Sequence, residues 1–141
     1  MDGRSGSGGA GPGEGAVTVL VVDDSPAYLG ALRDVVDAAG GFVLVGEART
    51  GEEAVEVAAR TDPDLVLMDV RLPGVGGVEA GARISASGSK SVIMLLSSAD
   101  EETMPGRSSG VAAAMLDKRR LSPGTLADLW RQHRPGGRHP P

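Results

Sequence analysis

The sequence predicts an α/β protein built as a (βα)5 doubly wound parallel sheet, and three observations carry that prediction. Five short apolar runs rich in β-branched residues recur along the chain, helix-start signals follow three of them, and polar or charged residues stand where the runs end. Runs that are apolar at successive positions suit strands covered on both faces. Helices alternating with such strands pack on both sides of one parallel sheet.

The first run, AVTVLVV (16–22), stops at Asp23-Asp24. Ser25 is then a natural N-cap with Pro26 at the first helical position, and Tyr28, Leu29, Leu32, Val35 and Val36 keep helical spacing. The second run, FVLVGEA (42–48), leads to Thr50-Gly51-Glu52-Glu53, a capping box opening a helix with Ala54, Val55 and Ala58 on its apolar side. DLVLMD (64–69) is the third run, with Pro73-Gly74 as turn chemistry beyond it, and SVIMLL (91–96) is the fourth. The stretch ADEETMPGRSSGV follows where a fourth helix belongs, yet Pro105-Gly106 and Ser108-Ser109-Gly110 oppose helix formation, so that helix is expected to be short or irregular. AAAML (112–116) is the fifth run, and Ser122-Pro123 opens a last helix carrying Leu126, Leu129 and Trp130. Residues 1–15 are mostly glycine and serine and residues 135–141 are proline, glycine and basic residues, so both are expected to be disordered tails around one domain at 16–134.

Composition removes several function classes. With 14 basic against 19 acidic residues the net charge is −5, which gives no general attraction to nucleic acid or anionic membrane. The chain has no cysteine, which excludes thiolate metal sites and cysteine nucleophiles. No apolar run approaches the ~20 residues of a membrane span and no secretory signal opens the chain, so a cytoplasmic protein is expected. The last-helix cations Arg131 and Arg134 suit a helix C-terminus, and Met115 and Trp130 suit packing.

In open parallel sheets, function gathers at the carboxyl ends of the strands. Those ends carry Asp23 and Asp24, Asp69, Ser97 and Ser98, and Asp117 with Lys118. Two like charges 5 Å apart repel by roughly 3 kcal/mol at an effective dielectric of 20, so Asp23, Asp24 and Asp69 together favour a bound cation. An oxygen-only set without His or Cys suits Mg2+ better than zinc. A carboxylate such as Asp69 can attack a phosphoryl group to give an acyl phosphate, while a metal, Lys118 and a hydroxyl neutralise the phosphoryl oxygens.

VLVVDDSP, LVLMDVRLPG, the hydroxyl after the fourth run and AAAMLDK, in this order, resemble the receiver domain of two-component response regulators. The resemblance covers residues 17 to 133 or so and implies a flavodoxin-like, chemotaxis-regulator-like sheet with strand order 2-1-3-4-5. It implies that Asp69 is the phosphoacceptor, served by a histidine kinase or histidine phosphotransfer protein. Mg2+ is implied at Asp24 directly, Asp23 partly through water, Asp69, and the backbone carbonyl of Arg71. Ser97 is implied as the switch hydroxyl and Lys118 as the lysine that pairs with the phosphoryl group. Ser97 is preferred to Ser98 because adjacent strand residues point to opposite faces. Such a protein is a signalling phosphoacceptor and not an enzyme beyond its self-catalysed phosphotransfer and slow autodephosphorylation.

The chain also departs from that pattern. Met115 stands where such receivers usually carry an aromatic partner to the hydroxyl, and Val111-Ala112 replaces the usual Gly-Ala. Phosphorylation is therefore expected to act on a soft segment over residues 100–110 in place of an aromatic flip. The expected protein is a stand-alone receiver without an output domain that signals by protein contact to an unknown downstream protein, although GEEAVEVA and DVRLPGVGG look like receivers that elsewhere carry a helix-turn-helix domain. A homodimer through the face of the fourth and fifth helices is a further expectation. The alternative is an adaptor that keeps the fold and works without phosphorylation. A phosphatase with a nucleophilic aspartate is disfavoured, since Arg71 stands where its acid carboxylate would be.

Overall fold

Strand propensity and two-sided burial produce the sheet. The computed structural model describes residues 15–98 and 112–135. Its strands are β1 (Val17–Val22), β2 (Phe42–Ala48), β3 (Leu65–Asp69), β4 (Val92–Ser97) and β5 (Ala114–Asp117). They form one parallel sheet in the order β2-β1-β3-β4-β5, the 2-1-3-4-5 order expected. The helices are α1 (Pro26–Ala39), α2 (Gly51–Thr61), α3 (Gly77–Ala86) and a C-terminal helix (Pro123–His133). The expected irregular fourth helix and both expected tails fall outside the described residues, save for Gly15 and Pro135 at the tail margins.

Side-chain alternation divides the core into two layers. Val19 and Val21 of β1, Leu65 and Leu67 of β3, and Val92, Met94 and Leu96 of β4 pack with Leu29, Leu32 and Val36 of α1 and Leu126 of the C-terminal helix. Leu20, Val22, Val66, Met68, Ile93 and Leu95 face the other way, against Ala54, Val57 and Ala58 of α2 and Ala80 and Ile84 of α3. Each fully buried Leu, Ile or Val contributes about 1.5–3 kcal/mol, so the layers hold the sheet between them.

The helix starts follow the capping signals. Ser25 accepts a hydrogen bond from the Tyr28 N–H, Thr50 from Glu53 and Ser122 from Thr125. Glu53 reaches one residue further back than a capping box requires, accepting from the Arg49 N–H at 2.9 Å. At the start of α3 a Cβ on Gly77 would lie 2.3 Å from the Asp69 carbonyl oxygen, so only glycine lets this helix begin against the end of β3. Gly74, with φ of 72°, makes the left-handed turn that precedes it.

Strand five is the largest boundary difference. Ladder pairing begins at Ala114 opposite Met94 and ends at Asp117 opposite Ser97, so β5 is a short edge strand displaced from the run 112–116. Lys118 leaves the strand and opens a 3-10 turn, Lys118–Arg120, capped by the Asp117 side chain. At the opposite, amino-terminal edge of the sheet, Trp130 lines an open cavity of about 520 Å3 with Val17, Asp64 and Ser91.

Candidate functional site

β1 and β3 are neighbours in the sheet, and each ends in a carboxylate of the same phase as Val19, Val21, Leu65 and Leu67. Asp23 and Asp69 are thus delivered side by side on the α1 side of the carboxyl-terminal edge. Asp24, one residue beyond Asp23, is exposed. One carboxylate oxygen from each of Asp23, Asp24 and Asp69 can be chosen so that all three lie within 4.8 Å of one another.

Each buried carboxylate is held by local backbone. Asp23 is fully buried, and its Oδ1 accepts from the Ser25 N–H at 2.9 Å. Asp69 Oδ1 accepts from the Arg71 N–H at 3.1 Å. The edge is closed by Lys118, whose Nζ lies 2.8 Å from Asp23 Oδ2 and 3.2 Å from Asp69 Oδ2. The contact with Asp69 is a hydrogen bond, and that with Asp23 is a closer ion pair. Asp23 Oδ2 is buried and has that counter-charge beside it.

That buried oxygen, paired with the Lys118 ammonium, belongs to an all-oxygen donor set, and such a set fits a hard divalent cation such as Mg2+. Asp23, Asp24 and Asp69 could hold such an ion. Burial pushes the Asp69 carboxyl above its ordinary range, opposed by the Arg71 N–H and Lys118, while the Asp23 charge adds to the rise. Desolvation disfavours the Lys118 ammonium, but its contacts with Asp23 and Asp69 outweigh that and hold its pKa above the usual lysine value.

The hydroxyl and the strand-five positions behave differently. Asp69 pairs in register with Leu96, and these two share the α1 face of the sheet. Ser97 is buried and continues the opposite phase of Ile93 and Leu95. Ser98 is exposed and lies just past the end of β4. The residue of β4 in register with Asp69 is thus Leu96, and the expected hydroxyl, Ser97, is the next residue along the strand. Met115 packs on the α2 and α3 side, in register with Leu95, away from Asp69. Asp117 turns its carboxylate to Arg119, whose hydrogen bonds hold its pKa low.

Two contacts have no counterpart in the sequence reading. Arg49 reaches the Asp24 carbonyl oxygen at 3.4 Å. Tyr28, which helical spacing marks only as a packing residue, places its ring 4.4 Å from Lys118 Nζ. The available signal was position: Tyr28 stands three residues after the N-cap, in the first turn of α1, beside the end of β1.

With this geometry in place, the comparisons with known proteins are consistent. The family described as the response regulator receiver domain matches residues 19–119. Response regulator UvrY of Escherichia coli (strain K12) is 35% identical over 98 residues, covering 70% of this chain and 45% of that protein. The chain thus spans about half the length of the curated relatives it matches. Among solved structures, the response regulator domain of Thermotoga maritima CheB superposes with a TM-score of 0.72 at 29% identity, over 84% of this chain and 96% of that one. The receiver domain of the sensor histidine kinase PA1611 from Pseudomonas aeruginosa PAO1 superposes with a TM-score of 0.72 at 21% identity, over 84% and 97%, and carries a magnesium ion coordinated in its active site cleft.

Proposed function

The chain belongs to the response regulator receiver domain family, and from that premise we propose that it accepts a phosphoryl group on Asp69 from a phosphohistidine of a histidine kinase or histidine phosphotransfer protein. The observation that carries this reading is the set around Asp69: a buried carboxylate fixed by the Arg71 N–H and Lys118, with two further carboxylates close enough to share a cation. A carboxylate oxygen of Asp69 attacks phosphorus, the phosphorus–nitrogen bond to the donor imidazole breaks, and its electron pair leaves with that nitrogen. The product is an acyl phosphate. Lys118 faces the charge that gathers on the phosphoryl oxygens, and the Arg71 N–H keeps the Asp69 carboxylate from rotating away.

Asp23, Asp24, Asp69 and the Arg71 carbonyl would hold Mg2+. When bound, that ion supplies charge neutralisation at the phosphoryl oxygens. A hydroxyl at the end of β4, Ser97 or its alternative Ser98, would donate to the same group. The folded domain is taken as residues 16–134, acting by contact with another protein. No helix among the described residues is long and apolar enough to cross a membrane. A homodimer through the fourth and fifth helices would use the C-terminal helix together with a fourth-helix segment that lies outside the described residues.

A second reading, an adaptor that works without phosphorylation, is favoured by one observation: the β4 side chain in register with Asp69 is Leu96, which donates nothing. Incubation with Mg2+ and acetyl phosphate followed by intact mass decides between them. One phosphoryl adduct, absent in Asp69→Ala, is expected; no adduct on the wild-type chain would leave the adaptor.

A further inference from the structure

Lys118 is touched at both ends by one aromatic side chain. The Tyr28 ring centroid lies 4.4 Å from the ammonium, and the Tyr28 hydroxyl donates to the Lys118 carbonyl at 3.4 Å. The ring face carries negative charge density and attracts a cation without being charged itself. The other partners of Lys118 are Asp23 at 2.8 Å and Asp69 at 3.2 Å, the same carboxylates a divalent ion would engage.

This arrangement sets a problem that the carboxylates alone do not solve. A cation on Asp23 takes away the nearest counter-charge of Lys118 and places like charge beside it, so the ammonium is driven outward just when a phosphoryl group needs it at Asp69. The Tyr28 ring face keeps its negative charge density through that change, and its hydroxyl is engaged by the Lys118 carbonyl. It is also partly buried and packed against the core layer on the α1 side, which restrains it.

We propose that Tyr28 is the positioning residue for Lys118, the one that would hold the ammonium beside Asp69 when Asp23 is engaged by a divalent cation. The proposal rests on the reading of Asp69 as a phosphoryl acceptor. Tyr28 touches neither metal nor phosphate; it acts through the lysine.

The test uses the full chain, acetyl phosphate at saturating Mg2+, initial rates by intact mass, and the Mg2+ midpoint from the shift in melting temperature. Tyr28→Leu removes the ring face and is expected to lower the maximal rate roughly tenfold while moving the Mg2+ midpoint less than about twofold. Tyr28→Phe keeps the ring and is expected to stay within about threefold of wild type. Equal rates in Tyr28→Leu and wild type overturn the proposal, as does a parallel loss of rate and Mg2+ affinity, or equal losses in the Leu and Phe variants. If the wild-type chain takes up no phosphate, the acceptor reading fails separately, and magnetic resonance decides the positioning. In Asp23→Asn, where Lys118 loses the same counter-charge, the upfield ring-current shift of its side-chain protons is expected to persist, and its disappearance overturns the proposal.

Discussion

The carboxyl ends of β1 and β3 and those of β4 and β5 lie side by side in one sheet, yet they are furnished unequally. At β1 and β3 two buried carboxylates accept backbone N–H groups and share one ammonium. At β4 and β5 the in-register partner of Asp69 is Leu96, Ser97 is the next residue along the strand, and Met115 packs on the α2 and α3 side. Among the described residues, Lys118 is what this half contributes to the charged cluster. The difference teaches that holding charge and reporting it are separate constructions, and that the described residues carry the first in far greater detail.

The strongest way to break the comparison is to remove the one group that joins its halves. Lys118→Ala is expected to slow acetyl phosphate uptake by about 100-fold, the usual cost of losing a preorganised charge partner in a transition state. In metal-free buffer at neutral pH it also leaves Asp23 buried and uncompensated, a loss of about 3 kcal/mol by urea unfolding, partly recovered when Asp23→Asn is added. Leu96→Thr sharpens the comparison by placing a hydroxyl in register with Asp69. Its expected effects are a stability loss of about 1–3 kcal/mol from a buried hydroxyl and a rise in uptake of roughly tenfold, measured on the same mass assay.

A third prediction concerns pH. The Asp69 carboxyl is raised by burial in the folded protein, so it binds its proton more tightly than in the unfolded chain. Its contribution favours folding below the ordinary aspartate range and is lost as pH rises through the elevated folded value. Without metal, the urea midpoint of the wild type should therefore fall relative to Asp69→Asn over that interval, and added Mg2+ should restore it above. Parallel midpoints in EDTA would contradict the burial account of Asp69.

Much of this molecule was legible in its sequence, for identifiable reasons. β-branched runs mark strands by local propensity, and Ser25, Thr50 and Ser122 cap their helices through bonds that span three residues, so both are local information. Asp23, Asp69 and Lys118 were legible because each ends an apolar run. The phase of β4 was not, since Leu96 and Ser97 are equally compatible with a strand until pairing with β3 fixes which one stands beside Asp69. Tyr28 escaped for a similar reason: its spacing is that of a core residue, and only the return of β5 brings Lys118 over its ring.

The chain has one tyrosine and one tryptophan, and both pack into the same core layer. Tyr28 stands at the carboxyl-terminal edge under Lys118, whereas Trp130 stands at the amino-terminal edge beside Val17 and Asp64. Each end of the domain thus has its own chromophore, with a donor and an acceptor for resonance energy transfer already built in. Light absorbed by the phenol and emitted by the indole reads the separation of the two edges in the unlabelled protein, and tyrosine emission alone reads the neighbourhood of the lysine.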